Sequence, residues 1–137
     1  MPTAAVVLPA SLATFIAFDF GMKRTGVAVG NRIMGTAQPQ GSIAAEGDAR
    51  FRHIAKRLVE WQPDAIVIGV PYHPDGTMHE NTVRAKKFGR QLHGRFNLPV
   101  FEVDERYSTT EALSLGAKDA DAVSACIILE QFLRSLV

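Results

Sequence analysis

Acidic residues stand at three separated places where a strand is expected to end or a helix to begin. One lies in the apolar stretch FIAFDF, two close the stretch LPVFEVDE, and two open the last apolar stretch: Asp19, Asp104, Glu105, Asp119 and Asp121. Carboxylates gathered from distant parts of a chain repel one another unless a cation is present, and oxygen ligands favour Mg²⁺ or Mn²⁺ over zinc. Two such ions can activate water for phosphodiester hydrolysis. The residues by themselves allow either a metal-dependent hydrolytic site or a set of unrelated surface acids.

The spacing of the last apolar stretch indicates which of its acids points inward. Asp121, Ala125, Ile128 and Phe132 are separated by four, three and four residues, which places them on one face of a helix. That face is apolar enough to pack on a sheet, so the spacing predicts that Asp121 lies at its open end. Asp119 is two residues away and is predicted to cap the helix. Capping is an alternative for Asp121 as well.

A short turn after Asp19 carries glycine and positive charge. Gly21 allows the backbone to turn sharply and a phosphate to approach closely. Lys23 and Arg24 could neutralise that phosphate. A solvated hairpin tip explains the same residues, but their position beside Asp19 favours a functional role.

Basic residues also recur in the stretch 81–95, which contains no acid. Arg84, Lys87 and Arg90 follow one another at three-residue steps and form a stripe on a predicted helix. Such a stripe could follow a nucleic-acid backbone, although a solvated helix face explains it nearly as well. Arg106, which follows Glu105, could hold that carboxylate in place or contact the scissile phosphate.

The hydrophobic pattern predicts the elements that must position these residues. The expected strands are 15–20, 25–31, 35–43, 65–70 and 98–105, and the expected helices are 47–62, 79–96, 108–116 and 119–135. A leading hairpin followed by alternating helices and strands predicts an α/β fold, with a mixed sheet, parallel later strands and helices on its faces. Pro39 predicts that the third strand is irregular or lies at an edge.

Length and composition limit the architecture to one ordinary domain. The chain has 137 residues, of which 47% are hydrophobic and 21% charged, and its formal net charge is +1. We expect a flexible tail over residues 1–14 and a single domain over 15–137. The single cysteine excludes an intrachain disulfide, and no run approaches the ~20 apolar residues of a membrane span. These features predict a soluble cytoplasmic protein, and the length is too short for a two-domain sugar kinase.

Four successive motifs resemble the signatures of the YqgF/RuvX family. They are DFGMKRTGVAVG, IVIGVPYHPDGT, DERYST and DADAVSACIILEQFL. The resemblance extends from about Phe15 to Leu133. This family comprises small bacterial proteins of the RNase H-like superfamily, described as candidate Holliday junction resolvases or nucleases of pre-16S ribosomal RNA. The resemblance implies an RNase H-like mixed sheet, antiparallel strands first and parallel strands after, with helices on both faces. It also implies Mg²⁺ or Mn²⁺ as cofactor.

The resemblance also selects among the acids. The family's catalytic, metal-binding acids fall on Asp19, Glu105 and Asp121. Ser124 and Ala125 match the small residues that follow the last aspartate in the family, which favours Asp121 over Asp119.

The function that follows is a metal-dependent endonuclease acting on structured nucleic acid. The resemblance alone favours 5′-end maturation of pre-16S ribosomal RNA, with ribosomal precursor particles as partners, over cleavage of a DNA Holliday junction. A different class of protein, a non-catalytic nucleic-acid-binding factor of ribosome assembly, is the rival. The segment between Tyr107 and Asp121 has only thirteen residues, fewer than the family pattern, and supports that rival. A monomer is favoured over a dimer.

Overall fold

The computed structural model describes residues 8–105 and 120–136, and at its centre is a five-stranded sheet with helices against both faces. The strands are β1 (Thr14–Phe20), β2 (Thr25–Asn31), β3 (Ala37–Ile43), β4 (Ala65–Val70) and β5 (Val100–Asp104). The helices are α1 (Gly47–Trp61), α2 (Glu80–Phe96) and α3 (Ala120–Ser135). The predicted α/β fold is confirmed, and the predicted helix 108–116 lies outside the described residues. None of the described helices is both long enough and apolar enough to cross a membrane.

The order of strands across the sheet is β3-β2-β1-β4-β5. Short turns join β1 to β2 and β2 to β3, so these pairs are antiparallel. β4 pairs parallel with both β1 and β5, and helices separate these strands in sequence. β3 is an edge strand, as Pro39 predicts. Proline has no N–H to donate, and on the outer side of an edge strand no neighbouring strand needs one. The carboxyl ends of β1, β4 and β5 therefore meet at one end of the sheet.

Alternate residues of β1 pack against different helices. Phe15 and Ala17 belong to the cluster that α3 covers, whereas Ile16 and Phe18 belong to the cluster beneath α1 and α2. Because successive side chains of a strand point to opposite faces, Asp19 lies on the α3 face of the sheet. The apolar residues around Asp19 thus anchor its backbone on both faces.

α3 packs on the sheet through the face that its spacing predicts. Ala125 and Ile128 are fully buried, and the Phe132 ring lies edge-on to that of Phe15 with 5.3 Å between ring centroids. Asp121 stands one turn before Ala125, at the end of the helix nearest the turn between β1 and β2.

Hydrogen bonds explain two departures from the predicted limits. β1 begins one residue earlier than predicted because Thr14 pairs with Asn31 of β2. The N–H groups of Ala13 and Thr14 both donate to Asp64 Oδ2 at 2.9 Å and hold this end of the strand. α2 begins after His79, because the Nδ1 atom of His79 accepts the N–H of Asn81 at 3.1 Å and caps the helix.

Residues 8–13 precede β1 and contact the sheet. Arg32 Nη1 donates to the carbonyl oxygens of Leu8 and Pro9 at 3.1 and 2.9 Å. Leu8 and Leu12 pack against the cluster on the α3 face. The division of the chain into a tail over 1–14 and one domain over 15–137 stays a prediction.

Candidate active site

Asp19 stands between two glycines on the neighbouring strands. Its partner in the antiparallel ladder is Gly26 on β2, and Gly69 on β4 directly follows the residues that pair with β1. A Cβ atom at Gly26 would lie 1.9 Å from the backbone oxygen of Asp121, and one at Gly69 would lie 2.4 Å from Glu105 Oε2. The two missing side chains therefore make room for two other acids beside Asp19.

The structure separates the two acids at the end of β5. Glu105 is only 7% exposed and lines a cleft of about 250 Å³ together with Asp19. Asp104 is exposed and lines a different groove, between β5 and the second half of α3. Glu105, to which the family resemblance assigns the second acid, is thus the one that the structure brings to Asp19.

Asp121 lies at the start of α3 and pairs with the turn after β1. Its Oδ2 atom is 3.2 Å from Arg24 Nε, and the side chains of Asp121 and Arg24 are 32% and 66% exposed. A surface ion pair of this kind contributes only about 0–1 kcal/mol, so it can open at little cost. The carboxylate of Asp121 is therefore close to the acidic cleft but turned toward Arg24.

The electrostatics of Asp19 reflect all three acids. Its pKa is raised from 3.8 to about 8, chiefly by burial and then by the negative charges of Glu105 and Asp121. A hydrogen bond with the buried Ser124 acts in the opposite direction. Three carboxylates from β1, the end of β5 and α3 thus repel one another, which is the situation that a cation relieves.

The donor chemistry of the cleft fits a hard divalent cation, although its three acids do not form a closed cage. Carboxylate oxygens are the ligands that Mg²⁺ and Mn²⁺ prefer, and Asp19 and Glu105 face one cleft. Among residues 8–105 and 120–136, no three His, Cys, Asp or Glu side chains lie close enough together to hold a metal ion. Asp121 would have to leave Arg24 and turn toward the cleft to complete the set.

The loop between β4 and α2 forms the opposite wall of the cleft. Pro71 and Asn81 line the cleft beside Asp19. The fully buried hydroxyl of Thr82 donates to the Pro71 carbonyl and accepts the N–H of His79 at 3.0 Å. These bonds tie the loop to the first turn of α2, so this wall is held in place.

The predicted basic stripe is divided between two surfaces. Arg84 and Lys87 line a groove of about 260 Å³ that shares Phe20 and Met22 with the acidic cleft. Arg90 lines a separate groove beside β5. Only the first two basic residues of the stripe therefore lie next to the acids.

The other predicted basic residues differ in their surroundings. Lys23 and Arg24 are both exposed on the turn after β1, and Arg24 is held in the ion pair described above. Arg84 donates to Glu80 Oε1 at 2.8 Å, so an acid just before the acid-free stretch balances its charge. Arg106 lies outside the described residues.

The sequence pattern does not reveal Arg50, in the first turn of α1. Arg50 is not among the apolar residues that recur at helical spacing in α1, yet it is only 5% exposed. Its guanidinium packs 4.5 Å from the centroid of the Phe20 ring and donates to backbone carbonyls of the turn after β1. No local signal could have found it, because the carbonyls of Gly21 and Met22 are 29 and 28 residues away in sequence.

Close relatives cover almost the whole chain. A protein from Albidiferax ferrireducens is 72% identical over 131 residues, which cover 96% of this chain and 84% of that protein. A protein from Polaromonas sp. is 70% identical over 129 residues, which cover 94% of each. Both carry the name "Putative pre-16S rRNA nuclease".

A solved structure and a family model complete the comparison. Thermus thermophilus RuvC in complex with a Holliday junction substrate superposes with a TM-score of 0.51 at 14% identity, covering 90% of this chain and 94% of that one. At this identity the likeness concerns the fold, and it confirms the expected RNase H-like architecture. The family model RuvX, described as Holliday junction resolvase, matches residues 13–135. The match runs from the start of β1 to the end of α3, and the chain therefore belongs to the RuvX family, a family of nucleases.

Proposed function

We propose that the protein is an endonuclease of structured nucleic acid that uses Mg²⁺ or Mn²⁺ held by Asp19, Glu105 and Asp121. The observation that carries the proposal is the proximity of these acids at one end of the sheet, where Gly26 and Gly69 leave room for them. A bound cation of this kind would activate water and stabilise the leaving oxygen of a phosphodiester.

Two properties of Asp19 bear on this proposal: how firmly its backbone is held and whether its carboxyl carries a proton. Asp19 is the second-last residue of β1, and the residues before it are buried on both faces of the sheet, so its backbone is held in place. With a pKa of about 8, Asp19 is protonated at neutral pH in the metal-free protein and must lose that proton to become a ligand. When Asp121 turns toward the cleft, it releases Arg24, whose guanidinium can then neutralise a substrate phosphate.

The proposed substrate is the precursor of 16S ribosomal RNA, matured at its 5′ end. Relatives at 72% and 70% identity are named for that RNA, and identity of this order over nearly the whole chain favours a shared substrate. The alternative is branched DNA, which the family description supports. If the substrate is a ribosomal RNA precursor, the partners are ribosomal precursor particles and the protein acts in the cytoplasm. We expect the protein to be monomeric.

A side-by-side cleavage assay tests this choice. Labelled precursor RNA that retains the extra 5′ segment and a labelled four-way DNA junction would each be incubated with the protein and Mn²⁺. We expect cleavage of the RNA alone, and no cleavage in the presence of EDTA. Cleavage of the junction alone would overturn the RNA substrate, and cleavage of neither by folded protein would overturn the nuclease.

One observation favours a second candidate, a nucleic-acid-binding factor without catalysis. Among the residues that the structure describes, no three potential ligands are gathered around one point, and Asp121 is paired with Arg24. Calorimetric titration of Mn²⁺ separates the two candidates. Binding that is lost in Asp19→Asn supports the nuclease, whereas RNA binding with no Mn²⁺ binding linked to Asp19 supports the binding factor.

The division of the basic stripe leads to a prediction for RNA affinity. We expect Lys87→Ala to weaken RNA binding several-fold and to lower the dependence of log affinity on log salt by roughly one, because Lys87 lines the groove beside the cleft. Arg90→Ala is the matched control and should change both quantities less, because Arg90 lies in the separate groove beside β5. Fluorescence anisotropy over a series of salt concentrations measures both. Equal losses in the two variants would contradict the prediction.

A further inference from the structure

Arg50 holds the turn between β1 and β2 from one side. Its Nη2 atom donates to the carbonyl oxygens of Gly21 and Met22 at 2.8 and 2.6 Å, and its Nε atom donates to that of Ala45 at 3.1 Å. The guanidinium also packs on the Phe20 ring, where it is almost fully buried. The turn therefore cannot change its backbone direction without breaking several contacts at once.

These hydrogen bonds fix the orientation of two successive peptide planes. The peptide bonds of the described residues are all trans, so the carbonyl of one residue and the N–H of the next point in opposite directions. Because the Gly21 and Met22 carbonyls point at Arg50, the N–H groups of Met22 and Lys23 point away from it. Within residues 8–105 and 120–136, neither N–H donates to a protein acceptor.

Arg50 and Asp19 lie on opposite faces of the sheet. Arg50 packs on Phe20, which belongs to the α1–α2 face, whereas Asp19 lies on the α3 face. Gly21 and Met22 also line the cleft that contains Asp19 and Glu105. Two neighbouring N–H groups that point the same way form an anion-binding concavity. An anion that approaches the acidic cleft would meet these donors at its edge.

We propose that the N–H groups of Met22 and Lys23 bind a phosphate oxygen of the nucleic-acid substrate, and that Arg50 is the positioning residue that aims them. The identity of the ligand rests on the proposed nuclease function. The carboxylates of the cleft repel a phosphate. Fixed N–H donors beside them would offset this repulsion, which apolar side chains could not do. Backbone donors held by a buried guanidinium also lose no side-chain entropy when they bind.

Amide chemical shifts provide the direct test. The ¹⁵N-labelled protein in EDTA would be titrated with inorganic phosphate and with a short RNA oligonucleotide. We expect both ligands to shift the Met22 and Lys23 amides in the wild type, and Arg50→Gln to lose these shifts. Arg57→Gln is the matched control, because Arg57 Nη1 also donates from α1 to a backbone carbonyl, that of Gln40 at 2.8 Å. The control should keep the shifts, and unchanged shifts in Arg50→Gln would overturn the proposal.

The kinetics of RNA cleavage should also depend on Arg50. We expect Arg50→Gln to raise KM for the RNA about ten-fold with a much smaller change in kcat, because a contact made in both ground state and transition state is lost. Arg50→Lys should recover part of the loss, since the ammonium can donate to one carbonyl. A loss of kcat alone, with KM unchanged, would overturn the proposal.

A pair of substitutions at Lys23 keeps the proposal testable if Arg50→Gln does not fold. Lys23→Ala removes the charge, whereas Lys23→Pro also removes the N–H and restricts the backbone of Met22 and Lys23; Lys23 is not one of the residues with a positive φ. We expect Lys23→Pro to weaken phosphate binding about ten-fold more than Lys23→Ala. Equal weakening in the two would overturn a role for the N–H.

These experiments distinguish a failure of the proposed phosphate site from a failure of the proposed nuclease function. Phosphate-induced shifts at Met22 and Lys23 without cleavage of any substrate would support the site and overturn the proposed function. Cleavage with a KM that does not depend on Arg50 would do the reverse.

Discussion

Asp19→Asn is expected to abolish cleavage while leaving the fold intact. Asparagine keeps the size and shape of the side chain but cannot carry the negative charge that a divalent cation requires. Substitution of residues that merely support a metal ligand costs about ten- to a hundred-fold, so loss of the ligand itself should cost at least about a hundred-fold. Cleavage rates in Mn²⁺, together with circular dichroism of the variant, measure the two halves of the prediction.

Asp104→Asn is the matched control for this change. It applies the same substitution to an exposed acid that lines the groove between β5 and α3 rather than the cleft. We expect its cleavage rate to stay within about two-fold of the wild type, because substitutions of exposed surface residues usually have effects of no more than about 0.5 kcal/mol. Retained Mn²⁺-dependent cleavage by Asp19→Asn would remove Asp19 from the catalytic set, and equal losses in both variants would show that the cleft is not the site.

The unfolding of Asp19→Asn should also differ in its dependence on pH. The folded pKa of Asp19 is about 8 against 3.8 in an unfolded chain, so the folded state holds the proton more tightly between these values. The free energy of unfolding of the metal-free wild type should therefore fall as the pH rises from about 4 to about 8, by at most about 1.4 kcal/mol per pH unit from this group. Urea unfolding in EDTA should show a weaker fall in Asp19→Asn.

Gly26→Ala is expected to have the second large effect. The added Cβ would lie 1.9 Å from the backbone oxygen of Asp121 and 2.9 Å from the N atom of Ala122, so the start of α3 must move outward. A displacement of about 1 Å in a catalytic constellation can cost a hundred-fold in rate, whereas overpacking of this kind costs about 1–3 kcal/mol in stability. Cleavage should therefore fall about a hundred-fold in protein that is still folded, as measured by kinetics and thermal unfolding.

Two further glycine substitutions test the cause of that loss. Gly94→Ala is the control, because an added Cβ there meets nothing within 4 Å, and it should leave cleavage unchanged while stabilising α2 by up to about 1 kcal/mol. Gly69→Ala should resemble Gly26→Ala, since its Cβ would displace the Glu105 carboxylate. Full cleavage by Gly26→Ala would mean that the approach of α3 to β2 does not matter for activity.

Local patterns in the sequence were sufficient for most of the fold. The continuous apolar run 65–70 is β4 at the predicted limits, and the spacing of Ala125, Ile128 and Phe132 identifies the buried face of α3. Helix and strand periods are properties of neighbouring residues, so they can be read without knowing the tertiary structure. The same reasoning identified Asp19, because a carboxylate in an apolar strand departs visibly from its surroundings.

The tertiary structure decided which residues meet around Asp19. The hydrophobic pattern does not distinguish Asp104 from the adjacent Glu105. The family resemblance favours Glu105, and the packing shows that Glu105 lines the cleft beside Asp19 whereas Asp104 lines a different groove. The three-residue spacing of the basic stripe likewise gave no sign that Arg90 faces a different groove from Arg84 and Lys87.

The sequence by itself determined the family, the sheet and the position of Asp19 in a buried strand, whereas the tertiary structure decided what surrounds that carboxylate. Gly26 and Gly69 look like weak points in their strands, yet they leave the space that the other two acids need. Arg50 looks like a surface residue of an amphipathic helix, yet it is buried against the turn after β1. The physical reason is the same in each case: these contacts join segments far apart in the chain, and no local period records them.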